Sequence, residues 1–232
     1  MTDEKREECG VLAMISSQSV APYLSSGLLA LQHRGQESAG IATLEAAGKI
    51  VVLKEMGLVS EALNTDKLMG LQGTIGIGHV RYSTTGSSNI VNAQPFFYES
   101  KKGPIAMAFN GNILNYPQIK KALEKKGYLF HTSTDTESII YLIEEELRAG
   151  KDWGQAISAT MSQLDGAYSI LILTADGQII AFRDPQGFKP FCLGRKNNDI
   201  VLASETCALD ALGVNYERDI EPGEIYVVSK KE

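Results

Sequence analysis

Short apolar runs separated by turn residues dominate the pattern of this chain. Cys9–Ile15, Ala39–Leu44, Ile50–Lys54, Thr74–Tyr82, Ile105–Phe109, Tyr168–Leu173 and Gln178–Phe182 each predict a strand, as do Phe191–Leu193, Ile200–Ala203 and Glu224–Val228. Asp176-Gly177 separates two of these runs and predicts a tight hairpin turn, and Asn197-Asn198 sits similarly between two others. Helical spacing falls between the strands in groups. Tyr23–Gln32 places Leu24, Leu28 and Leu31 on one face, with Pro22 tolerated in the first turn. Asn115–Lys126 begins at an Asn cap, ends at Gly127, and carries Ile119, Ala122 and Leu123. Thr134–Ala149 opens with the capping-box pattern Thr134-x-x-Glu137, followed by Ile139, Ile143 and Leu147. Trp153–Leu164 predicts a fourth helix, and the residues around Cys207 a short one. Hairpins beside grouped helices argue against a strictly alternating, doubly wound sheet. The order fits an α+β fold of two antiparallel sheets with helices on their outer faces. No repeat, low-complexity tract or linker divides the chain.

Composition narrows the classes of function. The 232 residues are 44% hydrophobic and carry a net charge of −6 with no cluster of Lys or Arg, which disfavours nucleic acid as a partner. Cys9, Cys192 and Cys207 are an odd number without C-x-x-C spacing, and His33, His79 and His131 lack metal-ligand spacing. Neither a disulfide framework nor a zinc or iron–sulfur site is expected, and a reducing cytoplasm suits such thiols. Residues 1–8 are almost wholly charged and so not a secretory signal, and no apolar run approaches a membrane span.

Five segments carry candidate chemistry, each beside a plainer reading. Cys9 opens the first apolar run behind the polar leader Met1–Glu8. It is either a small core residue or, if the leader is removed, a nucleophile with its own α-amine as base. Gln32-His33-Arg34-Gly35-Gln36 is either a helix C-cap with Gly35 left-handed or part of a site. In Gly76 to Gly86, alternation puts His79, Arg81 and Ser83 on one strand face before a polar loop from Thr84 to Asn89. Arg81 there either grips a small carboxylate or makes an exposed edge-strand salt bridge. Asn110-Gly111 is either a tight turn or a pair of donors for an oxyanion. Asp135 is either a complement to a helix dipole or a carboxylate for a substrate ammonium. Cys207 reads as packing and Cys192 as part of an apolar strand. There is no G-x-S-x-G or Walker A pattern, and Arg81 stands where a nucleotide loop needs glycine.

Taken in order, these segments resemble amidophosphoribosyltransferases, also called glutamine phosphoribosylpyrophosphate amidotransferases. The match is to their glutaminase domain, of the N-terminal-nucleophile class. The resemblance rests on Cys9-Gly10-Val11, Leu31-Gln32-His33-Arg34-Gly35-Gln36, Gly78-His79-Val80-Arg81-Tyr82, Asn110-Gly111-Asn112 and Thr134-Asp135-Thr136-Glu137. It continues through Arg183-Asp184-Pro185-Gln186-Gly187 and Ser204-Glu205-Thr206-Cys207-Ala208-Leu209-Asp210. It implies a four-layer αββα sandwich, with residues 1–8 as leader or propeptide and 9–232 as a class II glutamine amidotransferase domain. It also implies that Cys9 is the nucleophile, with Asn110 and the Gly111 N–H holding the oxyanion. Arg81 would grip the glutamine carboxylate and Asp135 its ammonium. Arg34 would line the site, and Tyr82, Thr84 and the following loop would cover it. Phe109 stands where many relatives have His, and Phe188-Lys189-Pro190 where Ile-Arg-Pro is usual. The phosphoribosyltransferase domain is absent, and no cofactor is expected in this chain. Magnesium and any iron–sulfur cluster would belong to that other half. The implied function is hydrolysis of glutamine to supply ammonia for phosphoribosylamine, in the first step of purine biosynthesis. The implied partners are glutamine, a phosphoribosyltransferase domain or subunit, and further copies in an oligomer. The alternatives are a catalytically idle regulatory module and a glutaminase serving another acceptor.

Overall fold

In a computed structural model, which describes residues 9–82 and 88–230, two antiparallel sheets lie face to face between helices. The first strands are β1 (Gly10–Ile15), β2 (Ser38–Leu44), β3 (Ile50–Met56) and β4 (Ile75–Arg81). Then come β5 (Phe96–Ser100), β6 (Gly103–Ile113), β7 (Gly166–Thr174) and β8 (Gln178–Arg183). The chain closes with β9 (Cys192–Lys196), β10 (Asp199–Ala203), β11 (Asn215–Asp219) and β12 (Ile225–Ser229). The larger sheet has the order β11-β9-β10-β1-β4-β2-β3 and the smaller β12-β8-β7-β6-β5.

The helices are α1 (Ala21–Ala30), α2 (Val59–Ala62), α3 (Thr65–Leu68), α4 (Tyr116–Lys125), α5 (Thr136–Arg148), α6 (Trp153–Met161) and α7 (Thr206–Leu212). Alternation along the strands makes the layers. On β1, Leu12 and Met14 pack with Leu24 and Leu28 of α1, whereas Val11, Ala13 and Ile15 face the other sheet. On β6, Met107 and Phe109 pack with Ile139 and Ile143 of α5, whereas Ala106 and Ala108 face inward. Three apolar layers result, which is the αββα arrangement expected. β1 and β4 are buried along their whole length, so they read as continuous apolar runs.

Several boundaries differ for tertiary reasons. The helix expected over Tyr23–Gln32 ends at Ala30 and tightens into a 3₁₀ turn at Gln32–Arg34. The helix expected over Thr134–Ala149 starts at Thr136, and its capping box does not form. The Glu137 carboxylate instead accepts the N–H groups of His131 and Thr132 and the Tyr141 hydroxyl. Asn115 opens α4 without capping it, because its side chain bridges Gln163 and Asp165. The helix from Trp153 stops at Met161 rather than Leu164. Strands β5 and β11 carry no run the pattern recognises. Both are sheet edges, alternating or polar and largely exposed. Gly177 and Asn197 take the positive φ that their turns require (87° and 54°). None of the described helices is long and apolar enough to cross a membrane.

Candidate active site

Cys9 directly precedes β1 and by alternation shares the inward face of Val11 and Ala13. It therefore stands where the two sheets open. Its thiol donates to the Tyr82 carbonyl at 3.4 Å. Its own carbonyl accepts from Arg34 Nε at 2.7 Å. Arg34 is buried and turns its other end to Glu205, whose second oxygen lies 3.0 Å from His33 Nε2. Arg34 thus fixes the backbone of the nucleophile candidate; it does not line the cleft, as had been expected. Ser204 completes the support, since its Oγ accepts the Val11 N–H at 2.9 Å and lies 3.5 Å from Asn110 Nδ2.

Arg81 ends β4, a central strand, and is only 3% exposed, which excludes the exposed edge-strand salt bridge. It forms an ion pair with Glu37. Gly35 is extended (φ −162°), so the left-handed cap is also excluded. A Cβ on Gly35 would lie within 2.6–2.8 Å of the Arg81 backbone, and this close approach is what requires glycine.

The opposite wall is the end of β6. Asn110-Gly111 is no turn: the two residues pair with Ser169 and Tyr168 of β7 inside the strand. N–H groups along a strand alternate in direction. The Phe109 N–H goes to Gln94 Oε1 at 2.7 Å and the Ile113 N–H to Asp135 Oδ2 at 2.9 Å. The Gly111 N–H, midway between them, points the same way, into the cleft. A Cβ at Gly111 would lie 2.3 Å from the Ala167 carbonyl oxygen. Asn110 is 1% exposed, next to Gly111 in the strand, with its Nδ2 3.5 Å from Ser204 Oγ. Asp135, buried at the N-terminus of α5, lines the cleft together with Cys9, Arg81, Tyr82, Gln94 and Gly111. The free volume between them is about 20 Å³, room for one water. Thr84 and the loop through residue 87 lie outside the described residues.

Electrostatics of the cleft are mixed. Burial pushes the Cys9 thiol up, and the Asp135 carboxylate adds to this; Arg81 and Lys189 act in the opposite sense. One layer deeper, His79 on β4 is fully buried and its Nε2 lies 2.9 Å from the Phe109 carbonyl of the other sheet. Burial, with Arg81 and Lys54 adding to it, lowers its pKa to about 3. Phe109 belongs to the apolar layer with Ile139 and Ile143 of α5 and also borders the cleft. Phe188 is 73% exposed. Gln94, Glu37, Ser204 and Glu205 were assigned no role from sequence. The last two lie in the quoted Ser-Glu-Thr-Cys segment, the one signal that could have found them.

A family model described as a glutamine amidotransferase domain matches residues 79–211, and the chain belongs to that family. Among curated proteins it is 46% identical to the amidophosphoribosyltransferase of Methanocaldococcus jannaschii, over 97% of this chain and 48% of that one. It is 44% identical to the amidophosphoribosyltransferase of Synechococcus elongatus, over 96% of this chain and 46% of that one. Among solved structures it is similar to glutamine phosphoribosylpyrophosphate amidotransferase from B. subtilis. That match has a TM-score of 0.88 and 38% identity, over 96% of this chain and 48% of that one. The chain spans about half the length of the relatives it matches. A glutamine amidotransferase class-II domain protein from Silicibacter pomeroyi, 13% identical with a TM-score of 0.61, shares the fold alone.

Proposed function

We propose that this chain is a glutaminase, hydrolysing glutamine to glutamate and ammonia through a thioester on Cys9. The observation that supports it best is the convergence of a thiol, a buried arginine, a buried carboxylate and a strand N–H on one cleft. Loss of residues 1–8 frees the Cys9 α-amine, whose ordinary pKa of about 7.7–8.0 suits a general base near neutral pH. As the amine takes the thiol proton, Sγ bonds to the side-chain carbonyl carbon of glutamine. The oxyanion that forms is held by Asn110 Nδ2 and the Gly111 N–H. The C–N bond then breaks, and ammonia leaves carrying the proton. Water cleaves the thioester, releasing glutamate and restoring the thiol. Arg81 binds the substrate carboxylate, Asp135 its ammonium, and Tyr82 and Thr84 close over it.

The similarity to amidophosphoribosyltransferases over half their length supports a destination for the ammonia. A phosphoribosyltransferase half would use it on phosphoribosyl pyrophosphate, in the cytoplasm and within an oligomer, for the first step of purine synthesis. Any magnesium or iron–sulfur cluster would belong to that half. Intact mass and ammonia release, measured on one preparation, test the glutaminase reading. Active protein should begin at Cys9 and release ammonia from glutamine faster when a phosphoribosyltransferase half and its pyrophosphate substrate are added. Full activity with Glu8 still attached would sink the self-activation mechanism. A rate unchanged by the other half would leave a glutaminase without that acceptor.

A further inference from the structure

Next to the nucleophile, three side chains of metal-ligand type meet, one of them the Glu205 that holds Arg34. His33 lies in the 3₁₀ turn after α1, Glu205 is the N-cap of α7, and Cys207 is in its first turn. His33 Nε2 is 3.0 Å and Cys207 Sγ 3.7 Å from Glu205 Oε2, and the three donor atoms lie within 4.8 Å of one another. Tetrahedral zinc with bonds of about 2.0–2.3 Å needs its ligand atoms roughly 3.3–3.8 Å apart. The donors are within a small side-chain adjustment of that spacing.

The hydrogen bonding around them is compatible with a cation. With its ring proton on Nδ1, His33 donates to the Ala30 carbonyl at 3.1 Å, which can only accept. The other nitrogen, Nε2, then faces a carboxylate oxygen that also only accepts. Either a second proton or a cation must lie between them. One ring nitrogen tied to a backbone carbonyl with the other turned to the ion is the usual setting of a metal-bound histidine. Glu205 divides its oxygens, Oε1 holding Arg34 and Oε2 facing His33 and Cys207. The hydrogen bonds of the Cys207 sulfur to Ala30 O and Glu205 Oε2 are both long, 3.7 Å. His33 is exposed, which gives an ion a path in.

We propose that His33, Glu205 and Cys207 form a binding site for a divalent cation of the zinc class. Nitrogen, oxygen and sulfur supply three ligands and solvent the fourth. On binding, Cys207 gives its thiol proton to solvent and ligates as thiolate. No zinc site is expected from the sequence, because no spacing motif joins His33 to Glu205, 172 residues away.

The test uses the chain with Cys9→Ala, so that the active-site thiol cannot contribute. Cobalt(II) titrated into chelator-treated protein should saturate at one equivalent with a cobalt–thiolate charge-transfer band, and zinc should displace it. Adding Cys207→Ser should remove the band, and His33→Asn, at an exposed position that leaves the core untouched, should weaken zinc binding roughly tenfold or more. No saturable binding, or a thiolate band surviving Cys207→Ser, overturns the proposal. So does zinc affinity unchanged by His33→Asn.

Discussion

The two walls of the cleft are made of different material. The seven-stranded sheet supplies side chains, each held by another: Arg81 by Glu37, Arg34 by Glu205, and the Cys9 backbone by Arg34. The five-stranded sheet supplies mainly backbone. Phe109, Gly111 and Ile113 present N–H groups on one side of β6; Gln94 and Asp135 take the outer two, leaving the middle one for a ligand. Charged side chains are strong but must be anchored, whereas strand N–H groups are already fixed by the ladder. A group that must meet charge only briefly is better placed on the second wall, because nothing there has to reorganise.

If the first wall carries the nucleophile, Cys9→Ala should give the largest loss. Ammonia release should fall to background while the melting temperature stays within about 3 °C, since only a small half-buried side chain changes. Residual turnover above background would move the chemistry to another group.

The division of labour should next appear in kinetics. Asn110→Ala should lower kcat about 10²–10³-fold with little change in KM, because its donor meets charge present only in the tetrahedral state. Arg81→Lys should do the reverse, raising KM by roughly tenfold or more with a smaller change in kcat, because the carboxylate it binds does not react. An Asn110→Ala variant with normal kcat would remove the oxyanion assignment and leave the two walls equivalent.

Legibility from sequence follows the same line. Cys9, Arg81 and Asp135 stand out in the sequence as candidates because each lies at the end of a predicted element, although each also has a plainer reading there. Gln94 and Ser204 were not, since each acts on the backbone of a strand remote in sequence, Phe109 and Val11 respectively. Gly111 drew attention as half of an Asn-Gly turn, but its actual constraint is the Ala167 carbonyl of the neighbouring strand. Glu137 looked like a capping residue and serves the loop before its helix. Local pattern picks out candidate residues; long-range backbone contacts, invisible to periodicity, decide how they are arranged.

That constraint gives a smaller, structural effect. Gly111→Ala should destabilise the fold by about 1–3 kcal/mol, through overpacking against β7. Urea unfolding measures it. Unchanged stability would mean that β6 and β7 are looser at the oxyanion end than their spacing implies.

The walls also meet directly, at His79, and this gives the most specific prediction. Its Nε2–H from the larger sheet donates to the Phe109 carbonyl of the smaller one, and its Nδ1 is buried without a partner. The ring is therefore held neutral, with a pKa of about 3 in place of the ordinary 6.5. Between those values the unfolded chain binds a proton that the folded chain does not, so acid favours unfolding. The contribution is constant above about pH 6.5. Below it, stability should fall by up to about 1.4 kcal/mol per pH unit until the folded-state value is reached. His79→Gln keeps a donor for the Phe109 carbonyl but cannot titrate. Urea unfolding at pH 8, 7, 6, 5 and 4 should therefore show a shallower acid slope in the variant and equal slopes between pH 7 and 8. Identical slopes at every pH would mean that the ring takes up its proton inside the fold, and that the sheets are not sealed against each other where the site begins.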